Sequence, residues 1–273
     1  MRKYKVAVLG ATGAVGQQMT RVLGERKFPI DELRLLASER SAGSIMDTPF
    51  GKIKVEEACD SAFKGMDIVL GAAENDIAKK AAPAIRAAGA VFVDNSSAFR
   101  MDPDVPLVVP EINPEDALKH HGIISNPNCS TIITMVAVNA INKLSPIKYM
   151  IASTYQAVSG AGAGGPIELD AQVNALLKGE PVSNNVFRYQ IAYNLIPEIG
   201  GANEEGYTSE EMKMQNEGRR IMHLPELAVT CTCVRVPVVR SHSISASRVT
   251  ERELSVEEVR AAIAAAPGCR LVD

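Results

Sequence analysis

Near the start of the chain, the strand-like run Lys5-Val-Ala-Val-Leu9 passes directly into Gly10-Ala-Thr-Gly13-Ala-Val-Gly16 and then into a helical pattern. A strand, a glycine turn and a helix start in that order open a βαβ unit. Glycines at 10 and 13 permit the tight turn and let backbone N–H groups approach a pyrophosphate. Gly16 lets the helix lie close on the strand. The spacing G-x-x-G-x-x-G is a variant of the dinucleotide fingerprint, so Gly10, Thr12, Gly13, Ala14 and Val15 are expected to meet the cofactor. A glycine motif alone says little; its place after a first strand gives it weight.

The first half of the chain repeats this rhythm. Strands are expected at Tyr4–Leu9, Glu32–Ala37, Ile68–Gly71 and Val91–Asp94, with helices from Gly13 to about Arg26 and from about Asn75 to Ala88. Leu107–Val109 and Ile123–Ser125 are short apolar runs between turns. The alternation predicts an α/β fold with a Rossmann-like, doubly wound, mostly parallel sheet. The end of the second strand selects the nucleotide. An acidic residue there suits the ribose of NAD. Here Ser38-Glu-Arg40-Ser41 follows, and Ser38, Arg40 and Ser41 suit a 2′-phosphate. The expected cofactor is therefore NADP, with Glu39 leaving NAD open.

Ser125-Asn-Pro-Asn-Cys129-Ser-Thr ends one apolar run and opens a longer one. Strand, turn and helix start follow, with Cys129 at the helix N-terminus and Ser130 and Thr131 as cap-type neighbours. The dipole and free N–H groups there favour an anion, so a partly ionised, nucleophilic thiol is expected. A lone cysteine in that place is more often a small buried residue. Beyond it, a helix is expected over Thr131–Leu144, a strand over Tyr149–Val158, a glycine-rich loop over Ser159–Gly165, and a helix from Pro166 to Lys178 with proline at its first position. A helix over about Ser209–Met222 and strands at Ala228–Val236 and Ser241–Val249 point to a more antiparallel second sheet. Ser255-Val-Glu-Glu258 is a capping box for a last helix. The domain boundary falls at Cys129, giving a dinucleotide-binding domain over 1–128 and a second, α+β domain over 129–273.

The composition is that of an ordinary globular chain: 273 residues, 46% hydrophobic, 22% charged, net charge −3. It gives no reason to expect nucleic acid or a membrane as partner. No apolar run reaches the roughly 18–20 residues of a membrane span. The basic start lacks the apolar core of a signal peptide, so a cytoplasmic protein is expected. Five cysteines form no disulfide pattern. Cys231 and Cys233 alternate on one strand face with no second ligand pair, and His120-His121 fit a helix end before Gly122, so no metal is expected.

Taken together, these motifs resemble aspartate-semialdehyde dehydrogenase. The resemblance runs from Met1 to near the last residue. It rests on Gly10–Gly16, Asn95-Ser-Ser-Ala-Phe-Arg100, Val109-Pro-Glu-Ile-Asn113, Ser125–Thr131, Gln156-Ala-Val-Ser-Gly-Ala-Gly162, Glu210-Glu-Met-Lys213 and the stretch from Arg235-Val-Pro to His242. It implies that Cys129 is the nucleophile and His242 the acid–base group. It further implies that Arg235 pairs with the substrate α-carboxylate, Gln156 orients the substrate and Glu210 faces the α-amino group. Arg100 and Lys213 would hold phosphate, and Ser159 and Gly160 would lie near the nicotinamide. The implied reaction is NADPH-dependent reductive dephosphorylation of L-aspartyl 4-phosphate to aspartate 4-semialdehyde, at the branch to lysine, methionine and threonine. The second domain becomes a catalytic and dimerisation domain of a homodimer. The family continues past the position of Asp273 through further strands and a helix that add cofactor contacts, so a truncated chain is implied. N-acetyl-glutamyl-phosphate reductase is the nearest rival, but its relatives carry Asn-Pro-Gly-Cys-Tyr where Asn128 and Ser130 flank the cysteine here. A non-catalytic nucleotide-binding fragment is the rival of another class.

Overall fold

A computed structural model of the chain describes residues 2–272. Two compact units divide it: one contains the chain up to Val108 together with Pro114–Pro127, the other Val109–Asn113 and the chain from Asn128 onward.

The first unit is a seven-stranded sheet in the order β3-β4-β2-β1-β5-β6-β7. Its strands are β1 (Tyr4–Leu9), β2 (Ile30–Ala37), β3 (Ile45–Thr48), β4 (Gly51–Glu57), β5 (Ile68–Gly71), β6 (Val91–Asp94) and β7 (Ile123–Ser125). All neighbours are parallel except β3 and β4. The chain leaves β1 to one side through β2 and returns to its other side at β5. That reversal is the doubly wound switch point, where ligands gather at the carboxyl ends of strands.

Residues of β1 alternate between two cores. Ala7 and Leu9 join Phe63, Val69, Ile85 and Phe92, whereas Val8 joins Leu35, Ala37 and Val55. A strand buried on both faces reads as a continuous apolar run, which is why β1 was legible. Full burial of each such large side chain contributes about 1.5–3 kcal/mol. The hairpin of β3 and β4 was not foreseen. Its strands carry mixed polar residues and are largely exposed, so neither alternation nor an apolar run marks them.

Helices α1 (Ala14–Glu25) and α2 (Asn75–Ala87) fall where the pattern placed them. Gly10 turns the chain at φ +85°, and a Cβ there would stand 2.6 Å from the Ala72 carbonyl oxygen. At Gly16 a Cβ would collide with the Gly10 carbonyl oxygen, so α1 approaches the turn only because both residues are glycine.

The second unit contains α3 (Cys129–Asn142), β8 (Ile147–Gln156), α4 (Gly164–Lys178), α5 (Ser209–Ile221), β9 (Ala228–Arg235), β10 (Ser243–Thr250) and α6 (Val256–Ala265). Its sheet runs β10-β8-β9, antiparallel between β10 and β8 but parallel between β8 and β9. The expectation of a more antiparallel sheet is half corrected. Consecutive β9 and β10 do not pair; each takes an edge of β8. Met135 and Val138 of α3 and Met214 of α5 pack with Met150 and Ala152 of β8 and with Cys231 and Cys233 of β9. The two cysteines are thus buried packing residues on one strand face. Pro166 is the third helical residue of α4 rather than the first, because Gly164 and Gly165 already take helical form. Ser255 caps α6 through the reciprocal box with Glu258.

Candidate active site

Asn128 builds the nucleophile's setting. Its backbone is extended (φ −60°, ψ 144°), and its side-chain oxygen accepts from the N–H groups of Ser130 and Thr131 at 3.0 and 3.2 Å. The cap is therefore Asn128 rather than Ser130 or Thr131, and Cys129 is the first helical residue of α3. Asn-Pro-Asn already contained that signal, since asparagine is a favoured cap.

Cys129 is open to solvent along part of its surface, as a nucleophile must be. Its sulfur nevertheless lies among packed atoms. Burial, and then the negative charge of Glu210, push the thiol up, against weaker opposing help from Ser130 and Arg235. That direction is opposite to the one a helix start alone favours.

His242 Nε2 lies 3.3 Å from Cys129 Sγ. The Ala157 N–H donates to His242 Nδ1 at 3.0 Å. A backbone N–H can only donate, so Nδ1 holds a lone pair and the neutral ring carries its proton on Nε2, facing the sulfur. Burial, and then the positive Arg235, pull His242 down from its ordinary value. His242 sits one residue before β10 rather than on a strand, and Ser241 before it takes φ +76°. A non-glycine residue there stores about 1–3 kcal/mol of strain, of the kind found where a side chain must be aimed.

Around this pair stand three buried polar side chains. Arg235, the last residue of β9, donates from Nη1 to the Ala157 carbonyl at 2.7 Å. Burial draws its guanidinium down, with Glu210 opposing, and it stays a cation. Gln156, the last residue of β8, is aligned with Arg235 across the parallel pairing. Its Oε1 accepts from the Thr154 hydroxyl at 2.9 Å, and its Nε2 donates to Glu210 Oε1 at 3.1 Å. Glu210 Oε1 also accepts from Asn128 Nδ2 at 2.8 Å, and Oε2 accepts from Lys213 Nζ at 2.9 Å. Burial pushes Glu210 up, but Lys213, Asn128 and Gln156 outweigh it and hold the carboxyl below its ordinary range.

Two adjacent glutamates divide here. Glu211 closes the capping box of α5 with Thr208 and accepts from the Cys233 N–H, a structural task. Glu210 turns inward to the cysteine. Ala157, whose two backbone groups aim both Arg235 and His242, left no trace in the sequence because its side chain does nothing.

In the first unit, α1 begins with no side-chain cap at Gly13, so the N–H groups of its first turn keep no side-chain acceptor. With the space left at Gly10 and Gly16, that turn fits a pyrophosphate. Gly13, Ala14 and Val15 are exposed beside it, with Thr12 half-buried. Ser38 and Arg40 are exposed and Ser41 is half-buried, in a single 3-10 turn after β2. Arg100 is buried and donates to the Ser96 and Asn95 carbonyls at 3.0 and 2.9 Å. Ser96 is tied in turn to Asp94, whose carboxyl burial pushes up. Ser159 and Gly160 form a 3-10 turn after β8 in the second unit, where Gly160 lies close under the Arg235 guanidinium. His120 is a turn acceptor, its Nδ1 receiving the Gly122 N–H at 2.9 Å.

Two sequence profiles match the chain: "Semialdehyde dehydrogenase, NAD binding domain" over residues 5–120 and "Semialdehyde dehydrogenase, dimerisation domain" over residues 138–273. The aspartate-semialdehyde dehydrogenase of Synechocystis sp. is 47% identical over 269 residues, covering 98% of this chain and 80% of the relative. That of Aquifex aeolicus is 49% identical over 275 residues, covering 99% and 81%. The crystal structure of aspartate semialdehyde dehydrogenase II from Vibrio cholerae superposes with a TM-score of 0.94 at 43% identity, over 98% of this chain and 80% of that one. The chain belongs to the semialdehyde dehydrogenase family.

Proposed function

We propose that the chain reduces L-aspartyl 4-phosphate to L-aspartate 4-semialdehyde with NADPH, releasing phosphate, through a thioester on Cys129. The observation that carries this reading is the Cys129–His242 pair, with a buried guanidinium, amide and carboxylate gathered beside it. Those three groups match the zwitterionic end of an amino acid. Arg235 offers a planar fork to the α-carboxylate, Glu210 a negative charge to the α-amino group, and Gln156 a hydrogen-bonding amide between them.

The Cys129 sulfur attacks the acyl carbon and its proton passes to the departing phosphate, which leaves with the electron pair of the broken C–O bond. A thiolate attacks well and leaves well, so one hard step becomes two easier ones. The Nε2–H of His242 donates to the sulfur as it ionises and to the substrate oxygen as that gathers charge. Arg100 and Lys213 hold the phosphate; Lys213 Nζ is already drawn toward the site by Glu210. NADPH, when bound, supplies the hydride that makes the acyl carbon an aldehyde. Gly10, Thr12, Gly13, Ala14 and Val15 would take its pyrophosphate and Ser38, Arg40 and Ser41 its 2′-phosphate, with Ser159 and Gly160 at the nicotinamide end.

Reduction of N-acetyl-glutamyl phosphate fits this site less well. An acetamido group brings no positive charge to Glu210, which would then be a buried anion facing a neutral ligand. The test is NADPH formation from NADP, phosphate and each semialdehyde; preference for the acetylated substrate would overturn the reading. We further propose a homodimer formed over the open face of the second sheet, where Tyr149, Ile151 and Tyr155 are 45%, 51% and 43% exposed in one row along β8. All five cysteines are free, which suits a reducing, cytoplasmic setting.

A further inference from the structure

Glu217 takes no part in the chemistry above, yet it is 2% exposed and lies against the main chain that carries the nucleophile. Its Oε2 accepts the Asn128 N–H at 2.6 Å. The Asn128 side chain is held separately, donating to Glu210 Oε1 at 2.8 Å and accepting from the Ser130 and Thr131 N–H groups. The Asn128 main-chain N–H, a side-chain N–H and the side-chain oxygen are therefore all engaged immediately before the reactive cysteine. Glu210 and Glu217 lie two turns apart on α5 and share one face. That face can come close to α3 because Gly218 lies against Met135; a Cβ at 218 would collide with the Met135 methyl group.

We propose that Glu217 is a positioning residue for Cys129. By holding the main chain of the cap residue, it fixes where α3 begins and hence the direction in which Sγ leaves the helix. This rests on the reading of Cys129 as nucleophile. The start of a helix is its least restrained part, since its first N–H groups have no partner within the helix. A buried side-chain oxygen of fixed reach on the preceding N–H restrains the chain at that point. The geometry it protects is narrow, because misplacing a reacting group by about 1 Å can cost about 100-fold in rate.

Two conservative variants separate reach from charge. Glu217→Gln keeps an acceptor at the same distance and loses the charge; Glu217→Asp keeps the charge and draws the acceptor back by one methylene. In the full chain, kcat, KM for semialdehyde and the pH dependence of Cys129 alkylation by iodoacetamide are measured, with a melting curve for each variant. Glu217→Gln is expected to lose no more than about threefold in kcat. Glu217→Asp is expected to lose about tenfold or more, with KM within about twofold and the alkylation midpoint moved upward as Sγ draws away from His242. Equal behaviour of the two variants, a larger loss in Glu217→Gln, or a loss in Glu217→Asp wholly explained by a smaller folded fraction would overturn the proposal. A native chain that turns over no semialdehyde would sink the reaction assignment instead, while the contrast in alkylation would still decide the role of Glu217.

Discussion

Replacing His242 with asparagine separates the two contacts of its ring. The asparagine carbonyl can take the place of Nδ1 and accept the Ala157 N–H, 3.0 Å from the ring in the native chain. The shorter side chain stops short of Cys129 Sγ, which Nε2 reaches at 3.3 Å. The lost contact is a hydrogen bond to a group that becomes charged when it reacts, and such bonds contribute about 1.5–3 kcal/mol net. At 1.36 kcal/mol per pK unit that is about one to two units on the sulfur. Water admitted to the vacated space steadies a thiolate and works the other way, so the lower end, about one unit, is expected. The sign follows from the tautomer: removing an N–H donor disfavours the thiolate, so the alkylation midpoint of Cys129 moves upward. Turnover falls further, by about 10²–10⁴, because the same N–H serves the substrate oxygen. KM for the semialdehyde stays within a few-fold, since Arg235, Gln156 and Glu210 keep their places. Iodoacetamide alkylation across pH, read by mass spectrometry of the Cys129 peptide beside steady-state kinetics, measures both effects. A midpoint that falls, or a kcat within about threefold of native, would show that the ring does not face the sulfur as a donor.

In the native chain, Cys129 should alkylate with a midpoint above the value of about 8.5 for a free cysteine, since burial and Glu210 both push it up. A plateau already reached at neutral pH would mean a thiolate–imidazolium pair instead. Glu210→Gln should lower that midpoint by removing the negative charge and raise KM for the amino-acid substrate about tenfold or more. Because the folded-state carboxyl of Glu210 is depressed, its stabilisation is present above the unfolded value near about 4.3 and is lost as pH falls through the folded one; the melting temperature of Glu210→Gln should therefore fall less steeply on acidification, and an unchanged slope would remove Glu210 from the acid-sensitive groups. Arg235→Leu should weaken the amino-acid substrate about tenfold or more, whereas Arg100→Leu and Lys213→Leu should act mainly on KM for phosphate. Equal losses toward every ligand would indicate misfolding rather than these roles.

What the sequence disclosed depended on whether a side chain or a main chain did the work. The run of β1 and the glycines at 10 and 16 were legible because burial on both faces and contact with backbone leave few choices of residue. Cys129, His242, Gln156, Glu210 and Arg235 could be named because a resemblance joined positions far apart in the chain; periodicity alone would have left Glu210 as an ordinary helix-start acid beside Glu211. The hairpin of β3 and β4 stayed hidden since its strands are short, exposed and mixed in character. The surroundings of the sulfur were only partly legible for a related reason. A helix start favours an anion, but burial and the Glu210 carboxylate push the thiol the other way. Ala157 acts through its N–H and carbonyl, and Glu217 through a main-chain contact 89 residues away in sequence. No pattern of residue types records either.

The central claim is that the acyl group of the substrate passes onto the sulfur of residue 129. Mixing the native chain with freshly prepared aspartyl phosphate in the absence of NADPH, quenching in acid and mapping peptides by mass spectrometry tests it directly. A mass increase of one aspartyl group on the Cys129 peptide, discharged when NADPH is added before the quench and absent from Cys129→Ala, is the expected result. Aspartyl transfer to a different cysteine, or NADPH oxidation that proceeds in Cys129→Ala, would contradict it.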